Sequence, residues 1–309
     1  MARNLAVLTN DVETTSIWFN DLRDETGEKV LKEGMPLLLS LYHKYGIKST
    51  FFFTAYIAKL YPEVVRMIIS DGHEVGSHGK SHIKENGFDV MPYVKQVRHL
   101  DYSKKLLEDI SGQEVVSFRS PALRVSPHTA KALIETGFKI DSSIASQRFD
   151  FFMSFGSKSK MNFLFAPRLP YYTDHNNIFK QGSSDLLEIP LSANLLPYVG
   201  TTMRIMPLIT SFQQRLLHLE SIVTGKPAVF LVHPNEFIDE SNEPREITRR
   251  SKGLVAYLLS DVLRAKVKTK NLGAQGLIIY EKLIKYYIDK EYEFTTMRGY
   301  RESWKKGKV

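Results

Sequence analysis

Three histidines fall within the stretch HEVGSHGKSH, residues 73–82, in a chain that has nine in all. His78 and His82 are four apart, and neutral imidazole is a common metal ligand. If the segment after EVGS turns into a helix, that spacing puts both rings on one face. Two imidazoles and one carboxylate form a suitable ligand set for Zn²⁺, with positions left for water and substrate. A carboxylate source is present in TNDVET, where Asp11 and Glu13 lie two apart at the end of a strand-like run and so share a face. Such a pair can divide labour, one acid holding a cation and the other moving protons; it can equally cap a loop or form a turn. The chain has no cysteine, so imidazole and carboxylate must hold any metal.

Two further stretches complete a hydrolytic constellation. FRSP ends a strand-like run in Arg119, which can orient a carboxylate through a two-pronged hydrogen bond. FLVHP ends a later run in His233, which can act as a general acid near neutral pH. The remaining histidines have blander assignments. His73 opens a short strand, and His43, His99, His128, His175 and His218 fall on helical or loop stretches without an acid–metal context.

These residues need a frame. Strand-like runs (LAVLTN, GIKSTFFFT, HEVGS, EVVSFR, FKIDSS, LLEIPLS, PAVFLVH and YEFTTM) alternate with helical patterns. Helices are expected at EKVLKEGMPLLLSLYHKY, from Pro62 to Gly72, over 91–111, from an N-cap at Ser126 to a stop at Gly137, and at GLIIYEKLIKYYIDK. This alternation predicts an α/β fold with a parallel sheet covered by helices, open or closed into a barrel. In a barrel, functional residues gather at the C-terminal strand ends. Asp11, His78, Arg119, Asp141 and His233 each end a strand-like run.

Residues 145–180 break the pattern, with RFDFFMSFGSKSKMNFLFAPRLPYY carrying eight aromatics and one acid. Such a segment is too apolar to be a linker. It reads as an insertion packed on the barrel, or as a substrate cover or membrane-contacting surface. MRIMPLITSFQQRLLHLESIV could extend that surface, although its apolar spacing equally suits a core helix.

An apolar fraction of 43% with 25% charged residues fits a soluble globular protein. The short N-terminal apolar run reads as a first strand, and no run is long enough to span a bilayer, so a cytoplasmic location is expected. The net charge of +8 favours phosphate-bearing partners, an anionic membrane surface among them, or forms a solvated basic surface. There is no RNA-binding aromatic motif or helix-turn-helix signature, so nucleic acid is not an expected partner.

Taken in order, these stretches resemble the motifs of the polysaccharide deacetylases, the NodB-homology family of metal-dependent N-deacylases. PEVVRMIISDGHEVGSHGKSH is the most specific part; EVVSFRSPALRVSPHTAKALIETGFKIDSSI and LIKYYIDKEYEFTTM also look like the family. The resemblance implies one domain over 1–309, a distorted (β/α) barrel of about seven strands, with 145–225 as an insertion or cover region. It makes Asp11 the general base and Arg119 the residue that orients it. It makes His78, His82 and Glu13 the metal ligands, His233 the general acid, and Asp141 the partner of His233. The spaced form DVE, where many relatives have adjacent aspartates, resembles a branch that includes exopolysaccharide deacetylases and lipid-linked sugar deacylases. Asn10 stands where the family usually has an aromatic.

The implied activity is removal of an N-acyl group, acetyl above all, from an amino sugar, with a divalent cation, Zn²⁺ first, as cofactor. The expected substrate is an N-acylated sugar or glycan, including a lipid-phosphate-linked one or a polysaccharide precursor. Two other readings stay open. One is a cyclic-amide hydrolase of the allantoinase type, some of which need no metal. The other is a non-catalytic carbohydrate- or lipid-binding protein, which would require neither a base nor an acid.

Overall fold

The computed structural model describes residues 4–148, 162–244, 253 and 262–307. In chain order its strands are β1 (Leu5–Val12), β2 (Thr15–Ser16), β3 (Asp21–Leu22), β4 (Thr50–Phe53), β5 (Glu74–Ser77), β6 (Ser117–Phe118) and β7 (Ile140–Asp141). They continue with β8 (Tyr171–Asp174), β9 (Asn177–Gln181), β10 (Leu187–Glu188), β11 (Ala193–Asn194), β12 (Leu196–Pro197), β13 (Ala228–Val232) and β14 (Glu293–Phe294). One sheet runs in the order β13-β1-β4-β5-β6-β7-β10, every neighbouring pair parallel. β14 adds a parallel pairing to the start of β1, and β8 and β9 follow β10 as antiparallel strands.

The sheet curls until its ends meet. Past β10, the Ser192 amide donates to the Val229 carbonyl at 3.2 Å, and Val199 bridges Leu231 in parallel. Both contacts fall on β13, so the molecule is a distorted (β/α) barrel. The strands explain why it packs this way. All eight residues of β1 and the TFFF run of β4 are buried, as expected of parallel strands covered on both sides.

Helices cover the outside at Asp24–Lys29, Met35–Lys44, Glu63–Ser70, Tyr93–Ser111, Thr129–Glu135, Pro207–Thr224 and Ala274–Asp289. A π-helical turn, Val30–Gly34, joins the first two into one stretch. The helix expected to be capped by Ser126 begins instead at Thr129, and the Thr129 amide closes a turn on the Ser126 carbonyl at 3.0 Å. Gly137 ends it at φ +78°, a left-handed conformation that a side chain would strain.

Residues 162–225 share in the main sheet through β8–β10 and supply the long helix before β13. Phe149, Phe151, Phe152 and Phe155 of the aromatic stretch lie outside the described residues. No helix among the described residues is long and apolar enough to cross a membrane.

Candidate metal centre

Period-two alternation on β1 sends Thr9 and Asp11 inward, and Glu13, one residue past its end, keeps the same face. Asn10 points the other way. Its side-chain amide donates to the Ser49 hydroxyl at 2.7 Å, and its carbonyl oxygen accepts from the Tyr42 hydroxyl at 2.8 Å. Asn10 therefore ties β1 to the outer helix layer and takes no part in the site.

Asp11 is held by Arg119, which is fully buried one residue past β6. The Arg119 Nη1 reaches Asp11 Oδ1 at 3.0 Å and Thr9 Oγ1 at 2.7 Å. Its Nε donates to the Ser142 carbonyl and its Nη2 to the Ser142 hydroxyl, each at 2.9 Å. The guanidinium also lies over the Phe52 ring, 4.4 Å from the centroid. The expected two-pronged bond to the carboxylate is thus a single one. The remaining donors hold the arginine itself and leave Asp11 Oδ2 facing the site, 3.7 Å from His78 Nε2.

His78 follows β5 directly. Its Nδ1 lies 2.8 Å from the Arg119 carbonyl, which can only accept, so the proton sits on Nδ1 and Nε2 carries a lone pair. Burial pushes the ring down to about 4, so it is neutral near pH 7. No helix carries the two histidines: residues 78–82 form a turn in which Gly79 has φ +68°. A side chain at Gly79 would be strained in that conformation and would crowd Phe88 at 3.3 Å. The turn is fixed because the Gly79 and Lys80 carbonyls accept from the Ala55 and Tyr56 amides at 2.9 and 3.0 Å. It brings the His78 and His82 ring centroids to 5.4 Å.

His82 Nε2 accepts from the Ala122 amide at 3.3 Å and lies 2.9 Å from Glu13 Oε2. Ala122 and Leu123 hold φ of +53° and +55°, a strained conformation for residues with side chains. Two electron pairs facing each other at that separation need a proton or a cation between them.

Glu13, His78 and His82 each offer a ligand atom, and these atoms lie within 4.8 Å of one another. Two of them, Glu13 Oε2 and His78 Nε2, are buried without a hydrogen-bond partner. Unpaired buried acceptors cost free energy. A divalent cation satisfies them, so the donor set fits a metal. Burial alone would raise the Glu13 carboxyl, but the imidazoles of His82, His233 and His78 outweigh it and bring it to about 2. Glu13 is therefore ionised, as a ligand must be.

His233, one residue past β13, closes the fourth side, with Nε2 4.0 Å from Glu13 Oε1. Its expected partner was Asp141. The structure gives it Glu236 instead, whose Oε1 lies 3.0 Å from His233 Nδ1 and accepts from the His233 amide at 3.3 Å. Glu236 is fully buried and paired through Oε2 with the equally buried Arg204 at 2.6 Å. Burial lowers the His233 ring, but its bond to Glu236 and the nearby carboxylates raise it further, to about 9. The proton therefore stays on the ring near neutral pH.

Asp141 lies on β7 in register with Glu188 of the neighbouring β10. It accepts from the Ser143 hydroxyl at 2.6 Å and forms a buried pair with Glu188. Burial raises both carboxyls, Glu188 most, so the pair holds a proton between its members. His73 is structural as expected: its Nδ1 accepts from the Ser49 amide at 3.1 Å.

Sequence reading missed Glu236 and Arg204. HPNE did carry a signal, since an acid three residues after a polar first residue is the spacing of a capping box, and that box forms here. Arg204, 32 residues upstream, had no local signal.

A distorted (β/α) barrel thus carries Glu13, His78 and His82, which could hold a metal, at its C-terminal mouth beside the arginine-held Asp11. Residues 9–140 match the family model for polysaccharide deacetylase. The chain is 29% identical over 157 residues to the peptidoglycan deacetylase of Helicobacter pylori, across 48% of this chain and 53% of that protein. The chain thus spans about half the length of that curated relative. Among solved structures, a probable polysaccharide deacetylase from Pseudomonas aeruginosa superposes with a TM-score of 0.59 at 16% identity, covering 98% of this chain and 91% of that one. Puue allantoinase superposes with a TM-score of 0.60 at 17% identity and the same coverage. At such identities these two likenesses speak for the fold alone.

Proposed function

We propose that the protein is a divalent-metal-dependent hydrolase that removes an N-acyl group, acetyl first, from an amino sugar. The observation that carries this reading is the pair of orphaned ligand atoms, Glu13 Oε2 and His78 Nε2, set beside an aspartate and a histidine that are each held by a second residue. The peptidoglycan deacetylase relative supports an N-acetylated glycan as substrate. The positive net charge favours a phosphate-bearing one, such as a lipid-phosphate-linked glycan or a polysaccharide precursor.

Glu13, His78 and His82 would hold the cation, Zn²⁺ before others given two nitrogens and a carboxylate. When bound, the cation supplies Lewis-acid polarisation of the acyl oxygen and a more acidic water. The chain's own groups do the rest. Asp11 takes a proton from the attacking water, with Arg119 fixing which oxygen faces it. His233 keeps its proton through Glu236 and delivers it from Nε2 to the departing nitrogen, because an amide nitrogen does not leave as an anion. The products are a free amine on the sugar and a carboxylate.

A cleft of about 220 Å³ opens on Glu13 and His82 and is walled by Leu22, Asp24, Tyr56 and Ile83. That is below the roughly 300–1,000 Å³ of drug-sized ligand pockets and suits one sugar unit.

The test is mass spectrometry on N-acylated sugars, free and lipid-linked, before and after chelation. Loss of the acyl mass only in the metal-loaded protein is expected. Hydrolysis of cyclic amides that persists after chelation would instead favour the allantoinase-type reading. His78→Ala removes the ligand whose tautomer is fixed, and bound metal measured by atomic emission should fall from about one per chain to near zero. Full metal occupancy in that variant would rule out the assigned ligand set.

A further inference from the structure

We propose that the outer face of the Pro207–Thr224 helix docks on an anionic lipid surface, lying along it without crossing. The helix is inverted relative to an ordinary surface helix. Its buried residues are Thr210, Gln213, Gln214, Leu217 and Ser221, four of five polar. Its outward face carries Leu208 at 85% exposure, Phe212 at 61%, Leu219 at 59% and Val223 at 82%. At ~100° per residue these four fall within about 60° of arc. Ile209, Leu216 and Ile222 widen the stripe on either side.

The inversion is built in. Gln213 donates to the Leu196 carbonyl at 2.8 Å and Gln214 to the Leu283 carbonyl at 2.9 Å. Rolling the helix to hide its apolar stripe would break both bonds, so the exposed face is its stable orientation. The β11–β12 hairpin, tied on through Gln213, adds Leu195 at 68% exposure. Contiguous exposed apolar surface of this kind marks an interaction site.

Charge and composition select the occupant. The helix has one acid, Glu220, and Arg168 and Lys226 neutralise it at 2.8 and 3.4 Å. Cations border the stripe: Lys270 beside the Ile205 carbonyl at the helix start, exposed Arg215 at its middle, and Lys290 acting on His218. Asp289 and Glu291 adjoin Lys290 in sequence, so the cationic excess lies toward the start and middle. A second protein chain would call for tryptophan or tyrosine anchors, and leucine and valine are poor in that role. A face of leucine, isoleucine and valine with one phenylalanine, bordered by arginine and lysine, suits the headgroup–acyl boundary of a bilayer.

The test is flotation of the full chain with equimolar phosphatidylglycerol–phosphatidylcholine vesicles at low salt, with light scattering in the absence of lipid. The wild type should float with these vesicles and be monomeric without them. Phe212→Glu combined with Leu219→Glu should lower the bound fraction by about tenfold or more. Arg215→Glu, which leaves the apolar stripe intact, should weaken binding without changing the melting temperature. Recovery of the wild type in the soluble fraction would overturn the proposal, as would equal flotation on pure phosphatidylcholine. So would a lipid-free dimer that the double substitution splits, since a second copy would then be the occupant.

Discussion

Asp11→Asn should lower turnover by about 10²–10⁴-fold, the usual contribution of a general base. Asparagine keeps the shape and can still accept from Arg119 Nη1, so the bond now made at 3.0 Å survives. What it loses is the capacity to take a proton. The ligand atoms of Glu13, His78 and His82 are unchanged, so bound metal should stay at the wild-type level. Steady-state kinetics with metal analysis on one preparation separates the two effects. Wild-type turnover by Asp11→Asn would remove Asp11 from the base role, whereas loss of metal would make it a ligand.

Arg204→Met should destabilise the protein by about 3–5 kcal/mol, the range for removing one partner of a buried ion pair. The methionine fills much of the space, so the loss is mainly that of a counter-charge for Glu236, which is fully buried. Burial alone would raise the Glu236 carboxyl; Arg204 and then His233 overcome this and hold it below the usual carboxylate range. A carboxyl lowered on folding contributes stability above its unfolded value, and that contribution fades as pH falls through its folded value. The deficit of Arg204→Met should therefore be largest near neutral pH and shrink under acid, where Glu236 can take up a proton. Urea melts at pH 7 and pH 4 measure this. A deficit independent of pH would show that Arg204 matters only for packing.

The parts of the fold that were legible in the sequence are those fixed by local chemistry. The runs LAVLTN, TFFF and AVFLV are buried on both sides and announce themselves as parallel strands, and Gly137 stops its helix through its own backbone freedom. The β8–β9 hairpin escaped notice because its alternation is short and irregular, with a bulge near Thr173 and Asp174. Asp11, Glu13, His78, Arg119 and His233 come together because each sits at or just past a strand end, and the turn after β5 folds His82 back to them. The partner of His233 could not be read the same way. Asp141 also ends a strand, and only the pairing of β7 with β10 shows that it meets Glu188. The helical reading of His78 and His82 failed because a glycine turn produces the same proximity as one helical turn. The Pro207–Thr224 pattern shows a different limit: periodicity reveals that a helix has an apolar face, not which way it points.

Arg119 joins the two halves of the centre through two different parts of itself. Its guanidinium positions the acid, and its backbone carbonyl sets the tautomer of His78. The first task is open to mutation; the second is not, because every amino acid supplies a carbonyl there. If the proposed roles hold, a change of side chain at position 119 would act first on proton transfer at Asp11, because the bond that orients His78 comes from the backbone.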